Sequence, residues 1–173
     1  IALVGIMSAV SIAKVIAAGV EPMTDATAAL RSCTLQIPRR PWPHDFDPQD
    51  LGSPGFRDFF CASRDAWPDL MEHANPIDIR LHVLRLGDAA VCTNPGELYC
   101  TYGRQIKAAS PARVTAVAQL VGGYAGYVPT PGAIDRSGYS AYPGFQCQLA
   151  TSAGEQIVSR THALLEEAFA AAR

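Results

Sequence analysis

The stretch "IDIRLHVLRLGDAAVCTN", Ile77–Asn94, decides the fold class. Ile77, Ile79, Leu81 and Val83 recur every second residue, which is the period of a strand with one buried face. Gly87-Asp88 interrupts the pattern, and "AAVCTN", 89–94, resumes it, so 77–94 reads as a β-hairpin with Gly87-Asp88 as the turn. Downstream, "GELYCTYGRQIKAAS", 96–110, reads as a helix beginning just after Pro95. "VTAVAQLV", 114–121, reads as a buried strand, and 122–150 as a long loop rich in Gly, Pro and Tyr. "SAGEQIVSRTHALLEEAFAAAR", 152–173, is an amphipathic helix with Ile157, Leu164, Leu165 and Phe169 on its apolar stripe; Ser152 and Glu155 form a candidate capping box. The order β-β-α-β-loop-α predicts an α/β fold, with sheet layers covered by helices.

Upstream of the hairpin the pattern is less regular. Residues 1–19 read as a helix ended by Gly19 and Pro22. This apolar segment carries Lys14 in its interior and many small residues, which favours a helix buried in a larger protein over a membrane span or a signal peptide. "CTLQIP", 33–38, alternates like a strand; 38–55 is a proline-rich connection; 58–74 is helical in part and expected to break near Pro68. No repeats are present.

Composition limits the function classes. The net charge of -2 gives no electrostatic case for nucleic acid or an anionic membrane. Only 17% of residues are charged against 49% hydrophobic, so the chain is expected to bury much of its surface. The five cysteines, Cys33, Cys61, Cys92, Cys100 and Cys147, include no C-x-x-C pair, which argues against a zinc ribbon, and at most one disulfide is expected. Cys92 on a strand and Cys100 on a helix both suit buried thiols. His44, His73, His82 and His162 show no i, i+4 spacing, so no H-E-x-x-H metal motif exists; no G-x-S-x-G, P-loop or G-x-G-x-x-G is present either.

Two positions stand out because they close strands, and in open α/β sheets ligand sites gather beyond the carboxyl ends of strands. Glu97 follows "AAVCTNP", where it could simply complement a helix dipole or act as a metal ligand or base. Tyr127 follows "VTAVAQLVGG", in the glycine-rich string "VGGYAGYVPT" that also carries Tyr124. Tyr139 and Tyr142 in "SGYSAYPG" continue the tyrosine-rich stretch. These phenols could pack at the sheet border and hydrogen-bond the backbone, or line a site.

The string "LRLGDAAVCTNPGELYCTYGRQIKAAS…VTAVAQLVGGYAGYVPTPGAIDRSGYSAY" resembles the last part of the catalytic domain of neutral ceramidases and their bacterial homologues. Glu97, Gly103 and Arg104 match that family's Pro-x-Glu strand end and following Gly-Arg; Tyr124, Tyr127 and Thr130 match its Tyr-x-x-Tyr loop and threonine. Tyr139 matches the family's further tyrosine twelve residues on (139 − 127 = 12), and "GVEP" followed by "SCTLQIP" extends the likeness over nearly the whole chain. The resemblance implies a zinc-dependent amidohydrolase that splits N-acylsphingosine into sphingosine and a fatty acid. It implies Glu97 and Tyr127 as two zinc ligands, Tyr139 as a donor at the reacting carbonyl, and Tyr124 and Tyr142 as substrate-binding residues. The partners it implies are a lipid amide or related amide and the upstream part of the same protein, carrying two histidine ligands that none of this chain's four histidines matches. Residues 1–173 are accordingly expected to form a single, partial domain, the C-terminal portion of a larger catalytic domain without the immunoglobulin-like domain some members carry. The implied location is secreted or periplasmic, with a cytoplasmic one left open. The competing expectations are a metal-free, non-catalytic scaffold or interaction protein retaining the fold, and a protein anchored to a membrane through residues 1–20.

Overall fold

The computed structural model describes residues 13, 14, 17, 19 and 23–170. Most of the helix expected over 1–19 therefore lies outside the described residues. Among the described residues no helix is long and apolar enough to cross a membrane.

The hairpin forms as its pattern predicts. Strand β1 (Ala28–Ile37) pairs antiparallel with β2 (Ile77–Leu86), which pairs antiparallel with β3 (Ala89–Thr93). Strand β5 (Val114–Ala118) then adds parallel to β3, giving the order β1-β2-β3-β5. A second sheet consists of two short parallel strands, β4 (Gly96–Leu98) and β6 (Gly126–Val128). Ile79, Leu81 and Val83 are fully buried, while the alternate residues Leu84 and Leu86 face solvent. Helix α4 (Ala153–Ala170) lies over β1 and β2, and its Ile157, Leu164 and Leu165 close the core against the inner face. The fold is thus mixed α/β, with a sheet covered by helices on one side.

Arg85 continues the buried face of β2 to the hairpin end. A buried charge is tolerable only when paired and hydrogen-bonded. Its guanidinium pairs with Asp25 at 3.1 Å, donates to the carbonyls of Gly87 and Ala168, and lies 4.3 Å from the Phe169 ring centroid.

Several elements differ from the expectations. Helix α1 (Pro54–His73) runs without a break through Pro68. Pro68 lies on the exposed side, so the carbonyl it fails to bond can be hydrated, while Phe60, Ser63 and Trp67 hold the opposite face buried. Strand β5 is an edge strand with partly exposed residues, not a buried one; Val114 is 60% exposed because no layer covers that face of the sheet. The helix expected from residue 96 begins later: Gly96–Leu98 is strand β4, and helix α2 spans Cys100–Ala108. The expected loop 122–150 contains β6 and a short helix, α3 (Pro131–Arg136). All five cysteines are free thiols; Cys92 is buried as expected, but Cys100 is exposed, because α2 turns Tyr102 and Ile106 inward instead.

Tyr102 joins α2 to α4. It is 2% exposed, and its hydroxyl donates to the Glu155 carboxylate at 3.3 Å and to the Pro129 carbonyl at 3.4 Å. Glu155, expected in a capping box, thus turns its carboxylate to the tyrosine. Gly154 makes room for the ring: a Cβ there would collide with the ring's Cζ, Cε2 and hydroxyl. Gly154→Ala should therefore cost about 1–3 kcal/mol, as overpacked cores do, read as a lower denaturation midpoint. Tyr102→Phe combined with it should recover little, since the ring itself is the obstacle.

Burial first, then the Glu155 charge, push the Tyr102 hydroxyl up to about 12 from the ordinary 10. The protonated phenol is the form the fold accommodates. Its contribution is complete below pH 10 and is lost as pH rises toward 12. Unfolding midpoints measured between pH 9 and 12 should fall more steeply in the native chain than in Tyr102→Phe. Identical slopes would show that Tyr102 does not titrate with folding.

Candidate functional site

The site grows from the parallel pair β3 and β5. In that ladder each residue of β5 lies 25 positions after its partner (118 − 93), and in the ladder of β4 and β6 it lies 30 after (126 − 96). The second strand therefore makes a five-residue excursion between the two ladders, and it does so across Asn94-Pro95. The Asn94 N–H donates to Ala118 and its carbonyl accepts from Val121; the Pro95 carbonyl accepts from Ala125. Asn94 also takes the Gly96 N–H on its side-chain oxygen at 2.9 Å. Leu120, Gly122 and Gly123, all at positive φ, turn the excursion, and it carries Tyr124 at its exposed edge. Pairing then resumes with Glu97 directly opposite Tyr127.

Neighbouring strands lie about 4.8 Å apart, and side chains at paired positions share a face. Glu97 and Tyr127 therefore stand side by side on one face of the small sheet. The Tyr124 hydroxyl lies close enough to Glu97 to feel its charge. Tyr139, beyond α3, brings its ring to 5.7 Å from that of Tyr127 in an edge-on arrangement, and the two hydroxyls interact. The neighbouring Ser140 hydroxyl is 2.5 Å from that of Tyr99, which ties this loop to the start of α2. The structure thus brings together Glu97, Tyr124, Tyr127 and Tyr139. Glu97 and Tyr127 are half-buried, and Tyr124 and Tyr139 are exposed.

The cluster holds one carboxylate and three phenols. Burial, then the Glu97 charge, raise the hydroxyls of Tyr124 and Tyr127 above the ordinary phenol range, so both remain protonated at neutral pH. A cation placed among them would reverse that tendency. Glu97 and Tyr127 offer two oxygen donors to such a cation. Protein zinc sites use three or four ligands, and among the described residues no three His, Cys, Asp or Glu side chains stand together as a metal set. His73 lies beside Asp69 on α1, and His162 contacts the Gln105 carbonyl.

Tyr142 falls elsewhere. Its ring stacks on Phe46 at 5.1 Å and meets Phe60 edge-on at 5.8 Å. A belt of aromatic rings connects it back to the cluster, since Phe56 contacts both Phe60 and Tyr139. Sequence reasoning missed this belt. The i, i+4 pair Phe56 and Phe60 on α1 was its available signal.

No protein-family model and no curated protein matches the chain. Solved structures do. The chain is similar to neutral ceramidase from Pseudomonas aeruginosa at 16% identity and a TM-score of 0.48, over 57% of this chain and 17% of that one. It is likewise similar to a ceramidase complexed with C2 at 17% identity and a TM-score of 0.43, over 57% of this chain and 16% of that one. The chain therefore spans only a minor part of either structure.

Proposed function

We propose that this chain is part of a zinc-dependent amide hydrolase of the neutral ceramidase kind, in which Glu97 and Tyr127 are two of the metal's ligands. The observation that carries the reading is the pairing of Glu97 with Tyr127 across β4 and β6, with Tyr139 against Tyr127. Residues singled out by sequence resemblance, and separated by up to 42 positions (139 − 97), are neighbours in space. Two donors do not suffice to hold the ion, so the remaining ligands are assigned to the upstream part of the same protein, as the resemblance implies.

Bound zinc would supply an acidified water with a pKa near 7 and polarise the scissile carbonyl. The chain's own residues have separable tasks. Glu97 presents a carboxylate oxygen, with the Tyr124 hydroxyl near it. Tyr127 presents a phenol oxygen from the adjacent strand. Tyr139, exposed at the surface with its ring against those of Tyr127 and Phe56, donates toward the oxyanion that develops as the amide carbonyl is attacked. The exposed ring of Phe56 beside it suits the apolar body of a lipid amide, which is the substrate class proposed, and a secreted or periplasmic site of action goes with it.

The test is made on the 173 residues joined to their upstream segment. One zinc per chain and hydrolysis of an N-acylsphingosine that a chelator abolishes are expected. The 173 residues alone should bind zinc weakly and hydrolyse nothing. Tight zinc binding by residues 1–173 that survives substitution of both Glu97 and Tyr127 would sink the reading, and a joined chain that binds no zinc would favour the metal-free scaffold.

A further inference from the structure

On the far side of the aromatic belt, a cavity of about 330 Å³ lies between the connection after β1 and the segment around α3. That volume is at the lower end of small-molecule sites. Arg40 lines it and is only 6% exposed. The backbone of Arg40 is pinned on both sides: its N–H donates to Gln148, and its carbonyl accepts the Trp67 indole N–H at 3.1 Å. Nη2 donates to the Ala141 carbonyl, but Nε is buried with no partner. Burial pushes the guanidinium pKa down, and among the described residues the one neighbouring acidic group acting on it is the Cys147 thiol, not a carboxylate. A guanidinium this buried would ordinarily have an anion beside it, because an uncompensated buried charge is costly.

The other walls have complementary chemistry. Phe46 and Tyr142, stacked on each other, form an aromatic side. Ser137 brings a hydroxyl from a residue at φ 60 and ψ -179, a conformation a non-glycine residue rarely adopts and which recurs at ligand clamps. Asp45 and Asp135, both exposed, line the same cavity. Those two carboxylates disfavour a phosphate or other dianion and favour a ligand that carries a cation as well.

We infer that this cavity binds a zwitterionic amino acid with an apolar or aromatic side chain. Its carboxylate meets Arg40 and the Ser137 hydroxyl, its ammonium faces Asp45 and Asp135, and its side chain lies along Phe46 and Tyr142. Charge-assisted pairing of a carboxylate with a guanidinium is among the stronger polar contacts. The arrangement does not depend on the metal site, and its test has no activity readout.

Trp42, whose ring centroid is 5.7 Å from that of Phe46, reports on the cavity by fluorescence. The full chain is titrated with L-phenylalanine, with 3-phenylpropionate, which lacks the amine, and with 2-phenylethylamine, which lacks the carboxylate. L-Phenylalanine should bind saturably at about millimolar concentration; 3-phenylpropionate should bind about tenfold more weakly, and 2-phenylethylamine not at all. Asp135→Asn, at an exposed position, should weaken L-phenylalanine about fivefold without weakening 3-phenylpropionate. Arg40→Met, with folding checked by circular dichroism, should abolish binding of both. If Arg40→Met does not fold, the Asp135→Asn comparison decides alone. Absence of saturable binding of L-phenylalanine, equal binding of 2-phenylethylamine, or an unchanged L-phenylalanine affinity in Asp135→Asn would each overturn the assignment.

Discussion

Glu97→Gln and Tyr127→Phe are each expected to lower zinc affinity and amide hydrolysis by more than about 100-fold in the chain joined to its upstream segment, since loss of a mere outer-shell partner already costs 10–100-fold. Both substitutions are close in size to the native residue, so the pairing of β4 with β6 should survive, and an unchanged denaturation midpoint would confirm that the loss is local. Glu97→Gln keeps an oxygen but removes the negative charge that a cation selects; Tyr127→Phe removes the oxygen altogether. Tyr124→Phe gives the contrast. It removes a hydroxyl near Glu97 but no proposed metal ligand, so its effect should be an order of magnitude smaller. Tyr139→Phe should separate the two roles further, lowering the rate while leaving zinc affinity near native, because its hydroxyl is assigned to the oxyanion and not to the metal. Equal losses in all four variants would mean that the cluster acts only as a structural unit, and the assignment of ligands would fail.

How legible this arrangement was in the sequence depends on the range of the forces that create each part. The β2–β3 hairpin was readable because period-two alternation and a Gly87-Asp88 turn are both local signals. Helix α4 was readable for the same reason, its apolar stripe being long enough to show its period. Strands β4 and β6 were not. Three residues show no period, and each strand exists only because the other lies beside it. Pro95 followed by Gly-Glu-Leu has the composition of a helix start, yet Asn94 captures the Gly96 N–H and Val128 packs where a Gly96 side chain would stand, 2.9 Å from that Cβ position. The long-range partner outweighs the local preference. The residues proposed for the site were nevertheless reachable, because Glu97 and Tyr127 each follow a visible strand, and that placement survives an error in the element that carries them. Tyr142 was not separable from Tyr139 by any local signal; the turn between them, in which the Gly138 carbonyl accepts from the Ala141 and Tyr142 N–H groups, sends them to different parts of the aromatic belt.

Gly126→Ala should do more damage than its size suggests, and it connects fold to site. Gly126 sits at φ 74, where an alanine is strained by roughly 1–2 kcal/mol. Its position is also closed on the outside, because a Cβ would strike the backbone of Gln146, 2.6 Å from the carbonyl carbon and closer still to the oxygen. That backbone cannot swing aside as a long side chain would, since the Gln146 carbonyl accepts the Tyr127 N–H at 2.6 Å and the Cys147 N–H donates to the Gly144 carbonyl at 3.0 Å. Overpacking against fixed atoms adds about 1–3 kcal/mol, so a total loss of about 2–5 kcal/mol is expected, enough to take a large share of a domain's stability. Where the chain remains folded, relief comes by moving β6 away from Gln146 or away from β4. Either motion shifts Tyr127 relative to Glu97. Gly126→Ala should then lower zinc affinity in the joined chain although it touches neither proposed ligand. A matched control is Gly138→Ala, also at positive φ, 130, but with open space around its Cβ position. It bears the backbone strain without the collision and should cost less. If the two variants lose the same stability, strain alone accounts for the effect, and the close approach of Gln146 is not what fixes Tyr127 in place.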